Sequence, residues 1–202
     1  MVKGIYAIPL GFVKAFLIES GDKLILVDAG SNPKDAEVIL NKVKSLGKEP
    51  KDVELCIITH RHGDHIGALK MLKEACGFKV ASHENEAQII ESSTGVAVDL
   101  KLKDNERLAY AGGIVAVLVP GHTKGNLTLY LPEKKTIVVG DTVFADEKGN
   151  LSAPPEKYCE DVAMATREIK RLLELDFDTV LVAHGNDVPV GGKAKIRALC
   201  SK

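Results

Sequence analysis

No uninterrupted apolar run in these 202 residues approaches the roughly 20 that a membrane-crossing helix needs. There is no excess of charge either. The 27 Lys+Arg face 28 Asp+Glu, and a net charge of −1 leaves no electrostatic footprint for nucleic acid or an anionic membrane surface. The opening residues Met1-Val2-Lys3-Gly4-Ile5-Tyr6 lack the apolar stretch and small-residue cleavage site of a signal peptide, which predicts a cytoplasmic protein. Cys56, Cys76, Cys159 and Cys200 form no Cys-x-x-Cys pair and no disulfide framework. Glutamine is almost missing, Gln88 standing alone, and lysines outnumber arginines 22 to 5, a composition that leans towards a thermophilic source. With no repeat, low-complexity tract or linker, the reading is one domain over residues 1–202, long enough to bury a substantial core.

Apolar runs of strand length alternate with helical patterns. Ile5 to Leu10, Phe12 to Glu19 and Lys23 to Asp28 read as three early strands, the last two joined at Ser20-Gly21-Asp22. Asn32-Pro33 opens a helix with Pro33 at its first position, and Gly47 ends it. Val53 to Thr59 is a strand, Ala68 to Ala75 a helix stopped by Gly77, Lys79 to Ser82 a strand and Glu84 to Glu91 a helix. Gly95 to Leu108 carries no clear period. Ile114 to Val119, Asn126 to Leu131 and Thr136 to Val139 are strands, Glu156 to Leu175 is the longest helical pattern, and Thr179 to Ala183 is a final strand. Strands in consecutive groups with interspersed helices suit two packed sheets, helices outside, better than one doubly wound sheet.

Five of the six histidines stand at or just beyond the end of an apolar strand. Ile57-Ile58-Thr59-His60, Leu118-Val119-Pro120-Gly121-His122 and Leu181-Val182-Ala183-His184 share this grammar, and Asp28 and Asp141 follow strands in the same way. Such placement lets ligand-type side chains converge on one rim of a sheet. The densest cluster is His60-Arg61-His62-Gly63-Asp64-His65, with Gly63 and Gly67 allowing tight backbone geometry around it. Three imidazoles and a carboxylate in six residues suit zinc and other first-row ions and are hard to explain as core packing. His83, in Ser82-His83-Glu84-Asn85, sits at a helix start, where a capping or surface role is expected.

His60-Arg61-His62-Gly63-Asp64-His65 resembles the His-x-His-x-Asp-His signature of the metallo-β-lactamase superfamily. Val27-Asp28-Ala29-Gly30, Pro120-Gly121-His122-Thr123, Gly140-Asp141-Thr142 and Ala183-His184-Gly185 fall in that family's order, so the resemblance spans residues 24 to 185. It implies an α/β fold of four layers, an αββα sandwich, with two divalent ions along one edge, most readily zinc, with iron or manganese as other choices. Position by position, His60, His62 and His122 would bind one ion, Asp64, His65 and His184 the other, and Asp141 would bridge them. Asp28 would hydrogen-bond a ligand imidazole or the loop that carries it. Thr59 and Thr123 would either share that orienting work or serve at the surface or as backbone caps.

The implied chemistry is hydrolysis of a small-molecule substrate. Hydroxide at the two-ion site attacks a carbonyl, the residual positive charge stabilises the oxyanion, and Asp64 accepts the proton from the attacking water. Asp141 stands where many β-lactamases of the superfamily have a cysteine ligand, which turns the reading away from β-lactams. Gly140-Asp141-Thr142-Val143-Phe144 resembles the glyoxalase II branch, which hydrolyses hydroxyacyl-glutathione thioesters. However, only Gly185 to Lys202 follow His184, where that branch carries a helical glutathione-binding domain, and Ala145-Asp146-Glu147-Lys148-Gly149 lacks its Cys-Gly-Arg pattern. A thioester, ester or lactone is therefore the expected bond. The runner-up readings are a mononuclear-iron persulfide dioxygenase using His60, His122 and Asp141, then a phosphodiesterase or ribonuclease, then a non-catalytic metal-binding module.

Overall fold

The computed structural model describes residues 2–201. The chain divides into two compact units, Met1–Leu102 and Lys103–Lys202.

In the first unit, β1 (Ile5–Leu10), β2 (Val13–Ser20) and β3 (Lys23–Val27) form an antiparallel meander. After α1 (Asp35–Ser45) come β4 (Val53–Ile57), the one-turn α2 (Gly63–Ile66), α3 (Leu69–Cys76), β5 (Lys79–His83), α4 (Glu84–Thr94) and β6 (Leu100–Leu102). The sheet order β1-β2-β3-β4-β5-β6 follows the sequence, antiparallel as far as β3 and parallel from there on. Helical crossovers supply the parallel connections. Leu24 to Val27 and Leu55 to Ile58 are buried throughout, which is why β3 and β4 read as continuous apolar runs rather than alternating ones.

The predicted start of α1 at Pro33 is two residues early. The Asp35 carboxylate turns back to accept from the backbone N–H groups of Ser31 (2.7 Å) and Asn32 (3.2 Å), and from the hydroxyl of Ser31. Residues 35 to 37 then bond to carbonyls only three residues behind, so a tight turn precedes the regular helix.

The second unit contains β7 (Glu106–Leu108), β8 (Ile114–Leu118), β9 (Leu127–Leu131), β10 (Thr136–Val138), a two-stranded ribbon of β11 (Phe144–Ala145) and β12 (Leu151–Ser152), α5 (Val162–Glu168), β13 (Thr179–Leu181) and α6 (Gly192–Cys200). Its sheet runs β13-β10-β9-β8-β7, antiparallel except for the β10–β13 pair. Val115, Val117, Ile137, Val139 and Val180 pack with Ile169, Leu172, Phe177 and Ile196 to form its core.

The long helix predicted over Glu156 to Leu175 is broken. Cys159 is extended (φ −97°, ψ 141°), the Asp161 side chain caps α5 by accepting from the N–H of Met164, and six residues of tighter 3-10 winding follow Glu168. The break has a partner: the N–H groups of Glu160 and Asp161 donate to the carbonyls of His122 (3.1 Å) and Gly121 (2.9 Å). Backbone that would have continued a helix instead holds the loop carrying His122. The ribbon β11–β12 and helix α6 were not anticipated; the first has only two residues per strand, too few to show a period.

With one mixed sheet in each unit, the class is α/β, as expected. Among the described residues no helix is long and apolar enough to cross a membrane.

Candidate metal centre

The first unit brings together His60, His62, Asp64 and His65, all within the turn that leaves β4. His60 and His62 point the same way: His60 Nε2 and His62 Nδ1 lie 3.1 Å apart, and the rings meet edge-on with centroids 4.7 Å apart. Asp64 and His65 lie on α2, with Asp64 Oδ2 3.7 Å from His65 Nε2. His60 and His65 are fully buried, whereas the Asp64 side chain keeps 24% of its exposure.

Asp28 organises these imidazoles from behind. It is buried at the end of β3 in a left-handed conformation (φ 61°), and its N–H donates to the carbonyl of Ile57. Its carboxylate accepts from the backbone N–H of Thr59 (2.8 Å), the hydroxyl of Thr59 (2.9 Å) and His65 Nδ1 (2.8 Å). Thr59 Oγ1 also lies 3.1 Å from His60 Nδ1. Because the Thr59 hydroxyl proton goes to the carboxylate, its oxygen is left to accept from His60 Nδ1–H. Both rings are thereby set in the tautomer that presents a lone pair at Nε2. Asp28 thus hydrogen-bonds both an imidazole of the cluster and the loop that carries it.

Backbone hydrogen bonds close this turn. Ala29 N–H donates to the carbonyl of His65 (2.7 Å), Gly67 N–H to Gly30 (2.7 Å) and Ala68 N–H to Ala29 (2.9 Å). A Cβ on Gly67 would strike the backbone of Ser31 and Asn32, so the close approach requires glycine there. Gly63 is different, for a Cβ would meet nothing within 4 Å and its φ is ordinary.

The second unit holds His122, Asp141 and His184. The two oxygens of Asp141 face two different imidazoles, Oδ2 lying 3.3 Å from His122 Nε2 and Oδ1 3.4 Å from His184 Nε2. Asn126 Nδ2 donates to the carbonyl of Val119 (3.2 Å) and to Thr142 Oγ1 (2.9 Å), tying the His122 loop to the turn that carries Asp141. Thr123 is buried and its Oγ1 has no hydrogen-bond partner among the described residues, so neither Thr59 nor Thr123 is a surface residue.

His83 caps α4, its Nδ1 accepting from the N–H of Asn85 (3.2 Å), as expected of a helix start, but it is buried rather than at the surface. Three neighbours of the predicted ligands escaped sequence reading. Phe144 stacks flat on His184 (centroids 4.7 Å apart, planes 5° apart), Cys159 Sγ lies 3.9 Å from His122 Nδ1, and Glu86 binds Arg61. Burial and the carboxylate of Asp141 push the Cys159 thiol above its usual pKa, burial first. Only Phe144 had a sequence signal, its place three residues after Asp141.

Residues 8–184 match the Metallo-beta-lactamase superfamily, and the chain belongs to it. Over 95% of its length it is 25% identical to the "Probable metallo-hydrolase YflN" of Bacillus subtilis, covering 86% of that protein. It is 38% identical over 96 residues to a hydroxyacylglutathione hydrolase of Rhizobium meliloti, and 30% identical over 159 residues to one of Chelativorans sp.. These stretches take in 47% and 77% of the chain but only 36% and 54% of those two relatives. In fold it is similar to a metallo-beta-lactamase family protein of Thermus thermophilus (TM-score 0.74, 20% identity, 98% of this chain and 78% of that one). It is also similar in fold to a subclass B3 metallo-beta-lactamase of Bradyrhizobium japonicum (TM-score 0.76, 19% identity, 99% of this chain and 89% of that one). At such identities the likeness speaks for the fold alone.

Proposed function

We propose that the protein is a metal-dependent hydrolase of thioester, ester or lactone bonds in a small-molecule substrate. In this reading His60, His62 and His122 would hold one divalent ion and Asp64, His65 and His184 a second, with Asp141 shared between them; the ligand atoms of the first group, Asp141 included, and those of the second group each lie within 4.8 Å of one another. The observation that carries it is Asp141, whose two oxygens are each turned towards the Nε2 of a different histidine. The donors fit such ions. They are imidazoles, those of His60 and His65 already engaged through Nδ1 by Thr59 and Asp28, together with carboxylates, a set suited to zinc, manganese or iron.

Two ions bound there would make a water acidic enough to ionise near neutral pH and would offset the charge of an oxyanion. The side chains do the rest. Asp28 keeps the Nε2 lone pairs of His60 and His65 aimed outward. Asp141 would supply negative charge to offset that of the ions. Asp64, with its solvent access, is the carboxylate that would accept a proton there. The choice of bond draws on the hydroxyacylglutathione hydrolases, which this chain matches over part of their length.

The test is metal analysis of the purified protein beside a panel of a thioester, a lactone and a phosphodiester, with and without oxygen. Two ions per chain and oxygen-independent thioester or lactone hydrolysis are expected. Strict dependence on one iron and dioxygen, with persulfide consumed, would replace this reading with oxidation; phosphodiester cleavage alone would replace the bond class.

A further inference from the structure

Arg61 stands between His60 and His62 in the chain, and its side chain is held by Glu86. Glu86 is the third residue of α4 and is fully buried. Its Oε2 accepts from the backbone N–H of Arg61 at 2.9 Å, and Arg61 Nη1 donates to Oε1 at 2.9 Å and to Oε2 at 3.1 Å. The Arg61 side chain keeps 15% of its exposure, so this charged pair lies largely away from water.

In an extended turn, successive side chains alternate in direction. Clamping Arg61 by both its peptide N–H and its guanidinium therefore fixes which way its two neighbours project. Those neighbours meet through unlike nitrogens, Nε2 of His60 and Nδ1 of His62, 3.1 Å apart. That meeting depends on the rotation of the peptide between them. Thr59, itself bonded to Asp28, orients the ring of His60. The clamp itself has a fixed base, because His83 caps the same helix one turn before Glu86 and continues directly from β5.

We infer that Glu86 is a positioning residue for the His60–His62 ligand pair, acting through Arg61. This deepens the two-ion reading and rests on it: Glu86 would govern affinity for the ion held by His60 and His62 and leave the other ion alone. The two oxygens of Glu86 take three hydrogen bonds from Arg61, a load that the single oxygen of an amide does not match.

The experiment is zinc titration against a competing chelator for wild type, Glu86→Gln and Arg61→Lys, with histidine side-chain NMR to assign each binding step and thermal melting to report the fold. Glu86→Gln is expected to weaken one of two zinc-binding steps by about 10- to 100-fold, the step that shifts the His62 resonances, leaving the other within twofold. Arg61→Lys, which loses the planar guanidinium, is expected to weaken the same step and to spare the other. Should Glu86→Gln not fold, Glu86→Asp draws the same charge back by one methylene and is expected to show the same one-step loss. Wild-type affinity at both steps in a Glu86 variant would overturn the inference. So would both steps falling together with the melting temperature, because that marks a purely structural pair. A wild-type protein that binds no zinc would instead sink the two-ion reading itself.

Discussion

Asp28 Oδ2 lies 2.8 Å from Nδ1 of His65, and the same carboxylate reaches His60 through the hydroxyl of Thr59. One buried side chain at the end of β3 thus sets the tautomer of two imidazoles carried by the loop after the neighbouring strand. Asp28→Ala removes the acceptor for both and frees the rings to turn. The expected result is a loss of about 10- to 100-fold in metal affinity, since outer partners of ligating histidines are worth about that much. Circular dichroism should stay unchanged at room temperature. Equilibrium dialysis with zinc checks it, and unaltered metal binding in the variant would reduce Asp28 to a turn-forming residue.

Gly121 occupies a left-handed conformation (φ 123°) under the first turn of α5, where a Cβ would collide with the backbone of Ala165. The same helix start accepts no displacement, because the N–H of Asp161 is bonded to the Gly121 carbonyl. Gly121→Ala should cost about 1–3 kcal/mol from overpacking, before backbone strain is added. For a chain of this length that lowers the melting temperature by roughly 3–10 °C. Gly63→Ala, with open space around it, should melt like wild type. Calorimetry of both variants makes the comparison.

Much of this was legible in the chain itself. The strand-end placement of His60, Asp141 and His184 follows from apolar runs stopping at polar residues, and strand boundaries from β1 to β5 fall within a residue or two of expectation. What stayed hidden is what depends on distant backbone. The period over Glu156 to Leu175 is helical, but carbonyls at Gly121 and His122 compete for the N–H groups of residues 160 and 161 and win. Glu86 lies 25 positions from Arg61 on a different element, and nothing in the local pattern of either marks the pair. Hydrophobic period reports which face is buried; it is silent about which polar partner is met there.

Asp99 offers a pH test remote from the candidate site. Its carboxylate accepts from the N–H of Val80 at 2.7 Å and from Lys73 Nζ at 3.2 Å, and the first of these contacts, helped by Lys73, holds its pKa below the usual value. A depressed carboxylate contributes stability that is present above the unfolded-state value, about 3.9, and is lost as pH falls through the folded-state value. Asp99→Asn should therefore be less stable than wild type at pH 7, by under about 1 kcal/mol for so exposed a group. The two should converge as the pH drops below 4. Urea unfolding at pH 7 and pH 3 measures it; a gap that widened in acid would contradict the sign.

Asp141 is the residue on which the two-ion reading most depends. Its oxygens face the Nε2 atoms of His122 and His184 at 3.3 and 3.4 Å, an arrangement that a simple turn-capping aspartate does not need. A carboxylate between two cations about 3.5–4 Å apart offsets their repulsion as well as binding them. Asparagine has nearly the same shape but no charge, and it offers one good oxygen donor instead of two. Asp141→Asn should keep its fold, because Ile137, Val138 and Val139 remain packed and the N–H of Thr142 still donates to the carbonyl of Val139. It should lose most of its affinity for at least one ion, and with it most turnover. If Asp141 only caps the turn after β10, asparagine serves as well. Two tightly bound ions per chain and near-normal turnover in Asp141→Asn would then remove it from the centre.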